Sequence, residues 1–122
     1  MASIIVTSGN QKGEYLPLGT RVSVVGRAET LSLQILDVLV SRKHFRICFD
    51  KATNKYYAED MHSRHGVFIN KNRINERALL SASDEIRIGN VKLLFTDRDF
   101  DDRESALSHY KKVGERMRTT LC

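Results

Sequence analysis

The sequence predicts an all-β sandwich in its first 96 residues. Short runs of alternating apolar and polar residues recur about every ten residues there, as in sheets with one buried face. Turn-forming segments separate the runs. The chain of 122 residues has the size of one domain, and its 41% hydrophobic and 29% charged residues are typical of globular proteins. The candidate strands are 4–6, 21–25, 45–49, 56–59, 67–69, 85–88 and 91–95.

Three connections between these strands have the composition of hairpin turns. Residues 8–13 and 50–54 are rich in residues that tolerate positive φ or bond their own backbone. Gly89 and Asn90 form a third, two-residue connection. The single proline, Pro17, is expected at a strand edge or in a loop, because it has no backbone N–H to donate.

The apolar spacing changes after Phe95. Apolar residues then follow at intervals of mostly three and four, and an acidic start leads into a basic end, which suits the dipole of a helix. We therefore expect a sandwich domain at 1–96 and an amphipathic helix or linker at 97–122. The helix could pack on the sandwich, pair with a second copy or lead into a following domain. Its apolar positions are Phe100, Leu107, Tyr110, Val113, Met117 and Leu121.

The excess of positive charge lies in the predicted sandwich. Residues 1–96 contain fourteen Lys and Arg against nine Asp and Glu, whereas residues 97–122 contain six of each, which accounts for the formal net charge of +5. A basic surface favours an anionic partner such as nucleic acid, lipid headgroups or a phosphopeptide. No apolar run approaches the ~18 residues of a membrane helix and no signal region opens the chain, so we expect a cytoplasmic protein without a membrane partner.

The two cysteines, Cys48 and Cys122, are too few and too far apart to indicate a disulfide framework or a zinc site. Cys48 alternates with its neighbours as a strand residue does. We expect this small thiol to pack in the core.

Three loops contain residues of the kinds that bind phosphate. In the first, Gly26 ends a strand and Arg27 offers a planar fork of donors. In the second, the hydroxyl of Ser41 is followed by the cation of Arg42. His44 then begins a strand, and its ring is expected to bond a neighbouring loop rather than to act in catalysis.

The third loop begins at Asp60. Ser63 supplies a second hydroxyl and Arg64 a further cation, while Gly66 permits a tight turn. Asn70 ends the next strand with an amide that can both donate and accept a hydrogen bond.

Together and in this order, the three loops resemble the forkhead-associated (FHA) domain family. The signature of that family is Gly-Arg, then Ser-x-x-His, then Asp-x-x-Ser-x-Asn-Gly-Thr-x-apolar-Asn, and finally a hairpin like Gly-Asp-x-Ile-x-Ile-Gly. The resemblance covers about residues 4–96. The matching positions are Gly26, Arg27, Ser41, His44, Asp60, Ser63, Gly66, Asn70 and residues 83–89, where Ser83 replaces the usual glycine.

The resemblance implies an FHA-type sandwich of two sheets and about eleven strands that captures a phosphothreonine-bearing segment of a partner protein. The partner would be a Ser/Thr kinase or a substrate of one. By this resemblance Arg27, Ser41 and Ser63 touch the phosphate, with help from Arg42.

The same resemblance assigns roles to the remaining loop residues. His44 would brace the loops together with Gly26 and Gly66. The bound peptide would be contacted by Arg64, by the residue at position 65 and by Asn70.

Two positions depart from the family pattern. His65 stands where the family has Asn, and Val67 stands where it usually has Thr. Asparagine presents a donor and an acceptor at fixed geometry, whereas histidine presents one of each only as a neutral tautomer. The contacts of His65 with the peptide backbone are therefore expected to differ from those of the family's asparagine, while the phosphate-binding residues are all present.

Other functions find less support in the residues. Arg64 separates His62 from His65, and no acidic or cysteine pair has ligand spacing, so neither a metal nor another cofactor is expected. No nucleophile elbow surrounds a serine, and we expect no enzymatic activity. The basic surface lacks an aromatic stacking series and a motif that reads nucleic acid. The nearer alternative is a degenerate FHA domain that serves as a phosphate-independent interaction or oligomerisation scaffold.

Overall fold

The computed structural model describes residues 2–97, which form eleven strands in two sheets. The six-stranded sheet has the order β2-β1-β11-β10-β7-β8, and the five-stranded sheet has the order β4-β3-β5-β6-β9. The predicted sandwich is thus confirmed, whereas the helix predicted over 97–122 falls outside the described residues from position 98 onward. The strands are β1 Ser3–Val6, β2 Tyr15–Pro17, β3 Ser23–Gly26, β4 Leu33–Gln34, β5 Phe45–Asp50, β6 Lys55–Asp60, β7 Val67–Ile69, β8 Asn72–Arg73, β9 Arg77–Leu79, β10 Glu85–Ile88 and β11 Val91–Thr96.

The core lies between the two sheets and follows the two-residue period of the strands. In β5, Phe45 and Ile47 are buried while Arg46 between them is exposed, because successive side chains point to opposite faces of a sheet. The six-stranded sheet contributes the inward residues of β1, β10 and β11, among them Ile4, Ile86 and Leu93. Apolar alternation in β5 therefore indicates which face of that strand is buried.

The three predicted hairpins are confirmed. Each connection joins an antiparallel pair of strands. Residues 8–13 join β1 to β2, residues 50–54 join β5 to β6, and residues 89–90 join β10 to β11. Pro17 lies in β2, the edge strand of the six-stranded sheet, as expected for a residue without a backbone donor. Within residues 2–97, no helix has the length and apolar character needed to span a membrane.

The expected place of Cys48 in the core is wrong. Cys48 follows Ile47 in β5, so alternation turns its side chain to the outer face of the five-stranded sheet, beside Arg46. It is partly buried there and is a free thiol. When a cysteine lies in a strand among both polar and apolar residues, the sequence alone does not show which face of the sheet its side chain occupies.

The strand directions bring the three candidate loops to one end of the sandwich, called the loop end below. β3 ends at Gly26, β5 begins at Phe45 and β6 ends at Asp60, the partner of Phe45 in the ladder. β7 begins at Val67, directly after the third loop. Three connecting segments therefore leave the sheets at the same end of the sandwich, namely residues 27–32, 35–44 and 61–66.

Candidate functional site

Backbone hydrogen bonds extend the β3–β5 ladder into the first two loops. The amide of His44 donates to the carbonyl of Val25 at 3.0 Å, and the amide of Arg27 donates to the carbonyl of Ser41 at 3.0 Å. The amide of Ala28 continues the series to the Arg42 carbonyl at 3.1 Å. These bonds place Arg27 and Ser41 side by side before any side-chain contact is considered.

Gly26 allows this close approach. A Cβ at Gly26 would lie 2.3 Å from the carbonyl oxygen of Arg42 and 2.9 Å from the amide nitrogen of His44. Both neighbours are backbone atoms, which cannot rotate away as a side chain can. A side chain at position 26 would therefore push the second loop off the end of β3, so packing explains the glycine of the Gly-Arg dipeptide.

The Arg27 guanidinium is held from one side. Its Nε donates to the carbonyl of Val40 at 3.0 Å. None of the described residues bonds its two terminal amino groups, and the side chain is exposed. A guanidinium anchored through Nε presents a fixed pair of donors to an incoming anion, which suits phosphate oxygens.

The two serine hydroxyls are fixed by backbone amides. Ser41 Oγ accepts a hydrogen bond from the amide of Arg64 at 3.1 Å, which ties the second loop to the third. Ser63 Oγ accepts from the amide of Gly66 at 3.1 Å. Neither hydroxyl donates to another described residue, so each proton is available to a ligand. Both serines are partly buried, so their positions are set by the fold.

His44 connects the second loop to the third from inside the protein. Its ring is fully buried, its Nδ1 accepts from the amide of Ser41 at 3.0 Å, and its Nε2 lies 2.7 Å from the carbonyl of Gly66. This pair of partners assigns the neutral tautomer with the proton on Nε2. Burial lowers the pKa of His44 below its ordinary value, against the opposing effects of the Gly66 carbonyl and the Asp60 carboxylate.

Asp60 and Gly66 shape the third loop. Asp60 Oδ1 accepts from the amide of Ser63 at 3.0 Å, the side-chain-to-backbone bond that favours Asp at the start of a turn. Gly66 has a φ of +83°, a conformation that other residues adopt at a cost. A Cβ there would also lie 2.7 Å from Nε of Arg73, whose guanidinium covers this glycine.

The other predicted peptide contacts on the third loop are exposed. Arg64 and His65 both face solvent at the loop end, as does Arg42 on the second loop. None of these three side chains makes a hydrogen bond or ion pair to another described residue. All three side chains are therefore accessible at the loop end.

Asn70 is not brought to this group of residues. It follows the last residue of β7, at the opposite end of that strand from Gly66. Its Nδ2 donates to Asp84 at 2.8 Å and its Oδ1 accepts from the amide of Glu85 at 3.0 Å. These bonds join the β7–β8 turn to the start of β10, which makes Asn70 a structural residue in this fold.

One bond at the loop end was not foreseen from sequence. Asp37 Oδ2 accepts from the amide of Asn90 at 3.0 Å, which fastens the second loop to the β10–β11 hairpin. Arg73 adds a cation beside Gly66. The Asp60 bond could have been found from its spacing to Ser63, whereas Asp37 and Asn90 are 53 positions apart and give no local signal.

The described residues hold no group of three or more His, Cys, Asp or Glu side chains that could bind a metal ion. The polar groups that the loop end presents are the Arg27 guanidinium, the Ser41 and Ser63 hydroxyls and the exposed cations near them.

Comparison with known proteins identifies the family. The family profile described as FHA domain matches residues 23–89, more than half of the chain. The chain belongs to the FHA domain family. The match begins at β3 and ends at the β10–β11 hairpin, so it includes all three loops of this FHA domain.

Curated relatives of this FHA domain are found among bacterial proteins. The chain is 31% identical over 94 residues to the oxoglutarate dehydrogenase inhibitor of Corynebacterium jeikeium, covering 77% of this chain and 63% of that protein. It is 29% identical over 94 residues to the glycogen accumulation regulator GarA of Mycobacterium tuberculosis, covering 77% of this chain and 56% of GarA. The chain thus spans less than two thirds of either relative.

Solved structures show the same fold. The N-terminal FHA domain of Rad53p from S. cerevisiae, solved with a phosphothreonine peptide, superposes with a TM-score of 0.70 at 21% identity. The superposition covers 80% of this chain and 94% of that one. The eleven-stranded architecture is therefore that of the family.

Proposed function

We propose that this FHA domain binds phosphothreonine-containing segments of partner proteins in Ser/Thr-kinase signalling. The observation that supports the proposal best is the group formed by the Arg27 guanidinium and the Ser41 and Ser63 hydroxyls, each held by a backbone partner at the loop end. The Rad53p domain, which shares the fold, was solved with a phosphothreonine peptide. The two curated relatives are named an inhibitor and a regulator, which agrees with a binding role rather than catalysis.

The donor set matches a phosphate group in charge and number. A phosphothreonine carries about −1.5 to −2 charge at neutral pH and three strong acceptor oxygens. Arg27 supplies two amino groups, and the serines supply one proton each. Because the serines and Arg27 are fixed before the ligand arrives, little conformational entropy is lost on binding.

The peptide on either side of the phosphate would cross the third loop. Arg64 and His65 are exposed there and would contact its backbone and side chains. Histidine replaces the family's asparagine at position 65, so the proposal assigns phosphate capture to Arg27, Ser41 and Ser63 and leaves a weaker contribution to His65. Arg42 would add charge from the second loop.

The test compares phosphothreonine peptides with their unphosphorylated twins by titration calorimetry. We expect binding of the phosphorylated peptides only, and a loss of at least about tenfold in affinity for Arg27→Ala or Ser41→Ala, since a charge-assisted hydrogen bond contributes roughly 1.5–3 kcal/mol. The matched control is Arg21→Ala. Arg21 precedes β3 at the other end of the sandwich, so this change removes the same charge away from the site.

Two outcomes would contradict the proposal. Equal binding of phosphorylated and plain peptides would favour the phosphate-independent scaffold. Binding of duplex DNA that collapses steeply between two salt concentrations, with no peptide binding, would favour a nucleic-acid partner. Thermal unfolding of each variant must accompany the titrations, because Arg27 also holds the Val40 carbonyl.

A further inference from the structure

A row of side chains crosses the outer face of the six-stranded sheet, the face that points away from the five-stranded sheet. The residues on either side of Phe68 in β7 belong to the core, so alternation turns Phe68 outward. Cross-strand pairing aligns Phe68 with Arg73 of β8 on one side and with Arg87 of β10 on the other. Arg87 pairs in turn with Lys92 of β11. These four residues, Arg73, Phe68, Arg87 and Lys92, are called the basic row below.

The three cations of the basic row face solvent. Arg73, Arg87 and Lys92 are all exposed. Neither guanidinium group makes a hydrogen bond or an ion pair to another residue in the range 2–97. Lys92 Nζ lies 3.7 Å from Oε1 of Glu85 on β10, and an exposed pair of this kind contributes little free energy. The row therefore offers its charges to a ligand.

The basic row borders a depression of about 200 Å³ on the outer face. Three cations line it, namely Lys71 from the turn between β7 and β8, Arg87 and Lys92. Glu85 supplies one carboxylate and Phe68 the apolar part of the wall. One water occupies roughly 30 Å³ in the liquid, so the depression has room for an acidic side chain. The excess of cations in the lining and the volume both suit a carboxylate.

The composition of this face favours an acidic peptide over the other anionic partners. The Arg87 guanidinium lies 4.3 Å from the ring centroid of Phe68, so it occupies the ring face that would otherwise stack on a nucleic-acid base. Insertion into a lipid surface needs exposed apolar side chains. The large apolar side chains that are exposed among residues 2–97 lie elsewhere, namely Val22, Leu36, Val38 and Leu79.

We propose that the basic row binds an acidic segment of a partner protein, with one carboxylate in the depression between Arg87 and Lys92 and another on Arg73. A guanidinium presents a planar fork of donors that matches a carboxylate. Neighbouring strands lie about 4.8 Å apart, so the row spans roughly 14 Å from β8 to β11. An extended chain advances about 3.4 Å per residue, so about five residues cross the row.

The basic row is separate from the proposed phosphate site. Arg73 lies beside Gly66 of the third loop, at the edge of the loop end. Arg87 and Lys92 lie on β10 and β11, outside the three loops. The two surfaces adjoin, but the inference does not depend on phosphothreonine binding.

The first test adds an unphosphorylated peptide of alternating Glu and Gly, about ten residues long, to the full chain, since alternation places its carboxylates on one side of an extended chain. We expect the amide NMR signals of Phe68, Arg87 and Lys92 to shift. Those of Ile47 and Ala58 in the five-stranded sheet should stay unchanged. A peptide of alternating Gln and Gly, which has the same length and no side-chain charge, is expected to leave all these signals in place.

The second test uses the full chain with Arg87→Gln and Lys92→Gln. We expect its affinity for the Glu-Gly peptide to fall about three- to tenfold, because two exposed charge contacts are lost. The matched control is Lys51→Gln with Lys55→Gln, which removes the same charge in and beside the β5–β6 hairpin of the other sheet and should keep the parent affinity. Both variants should bind a phosphothreonine peptide with uncharged flanks as the parent chain does, which separates this inference from the proposed function.

Four results would overturn the proposal. The first is an absence of shifts on β7, β10 and β11 with the Glu-Gly peptide. The second is an equal loss of affinity in the two variants. The third is tighter binding of duplex DNA or of anionic vesicles than of the peptide, lost with Arg87→Gln and Lys92→Gln. The fourth is a parent chain that sediments as a dimer and becomes monomeric with those substitutions, since a second copy would then occupy the row. Shifts along the row, together with a loss confined to Arg87→Gln and Lys92→Gln, support it.

Discussion

At the scale of single residues, His44 connects the stability of the fold to the geometry of the proposed binding site. Its Nδ1 accepts from Ser41, and its Nε2 bonds Gly66, so the neutral ring joins the second loop to the third. A proton added to Nδ1 would face the Ser41 amide and remove that bond. The ring therefore stabilises the loop end in its neutral form alone.

The pKa of His44, lowered by burial, predicts loss of stability in mild acid. Its folded pKa lies below its ordinary value of 6.5, so the unfolded chain binds the proton more readily. The stabilising contribution is present above about pH 6.5 and is lost as the pH falls towards the folded pKa. We expect Tm to decline on acidification from about pH 7.5 to about pH 5.5.

NMR titration of the imidazole nitrogens checks this prediction directly. His44 is expected to titrate below the ordinary histidine range and to carry its proton on Nε2. A normal titration midpoint for His44, or a proton on Nδ1, would contradict the assignment.

At the scale of strands and turns, Ser83 shows the cost of a departure from the family pattern. It replaces the usual glycine before β10 and has a φ of +71°, in the left-handed region that glycine adopts readily. Ser83→Gly should raise the free energy of unfolding by roughly 0.5–1 kcal/mol, because it removes the Cβ strain. Denaturant unfolding measures the change.

The matched control for Ser83 is Ser81→Gly. Ser81 is likewise an exposed serine before β10, but its φ is not positive. There glycine only adds freedom to the unfolded chain, so the variant should be slightly less stable than the parent. Equal shifts for the two variants would show that strain at Ser83 is not the cause.

The elements that could be predicted from sequence are those with several alternating residues. β5 and β6 each have six residues, and their alternation marks a buried face, whereas the six residues of β11 form a mostly apolar run. β2, β4, β8 and β9 have two or three residues and were missed, because backbone pairing to neighbouring strands defines them rather than any periodic pattern.

The residues of the candidate site likewise divide into those whose place could be predicted from sequence and those whose place could not. Motif order predicted that Arg27, Ser41 and Ser63 lie in loops between strands, and the structure places all three at the loop end. Asn70 was grouped with them, but motif order does not show that a strand intervenes, and β7 carries Asn70 to its far end. The bond between Asp37 and Asn90 depends on the folded chain alone.

At the scale of the whole molecule, the charge distribution predicts how fast a phosphopeptide binds. Arg42, Lys43, Arg64 and Arg73 are all exposed at the loop end or beside it. Exposed charges act over about 10 Å at moderate salt and steer an anionic ligand towards the site. Raising the salt concentration should therefore slow association several-fold while changing dissociation much less.

Stopped-flow binding of Lys43→Glu with Arg73→Glu tests this steering. We expect slower association than in the control pair Lys51→Glu with Lys55→Glu, whose positions lie in and beside the β5–β6 hairpin at the other end of the sandwich. If both pairs slow association equally, net charge rather than its placement would be responsible.

The fixed serine hydroxyls also determine how partner proteins should be studied. Each hydroxyl oxygen accepts a hydrogen bond from a backbone amide and keeps its own proton to donate, so Ser41 and Ser63 offer one donor each from separate loops. The oxygens of a tetrahedral phosphate dianion can bond donors that lie on separate loops. The carboxylate of Asp or Glu is flat, carries a single charge and has only two oxygens, so it spans a shorter distance between donors. Acidic phosphomimetic replacements in a partner should therefore bind no better than the unphosphorylated threonine, which competition against a labelled phosphopeptide would measure. Cellular experiments with this domain would need the genuine phosphate ester.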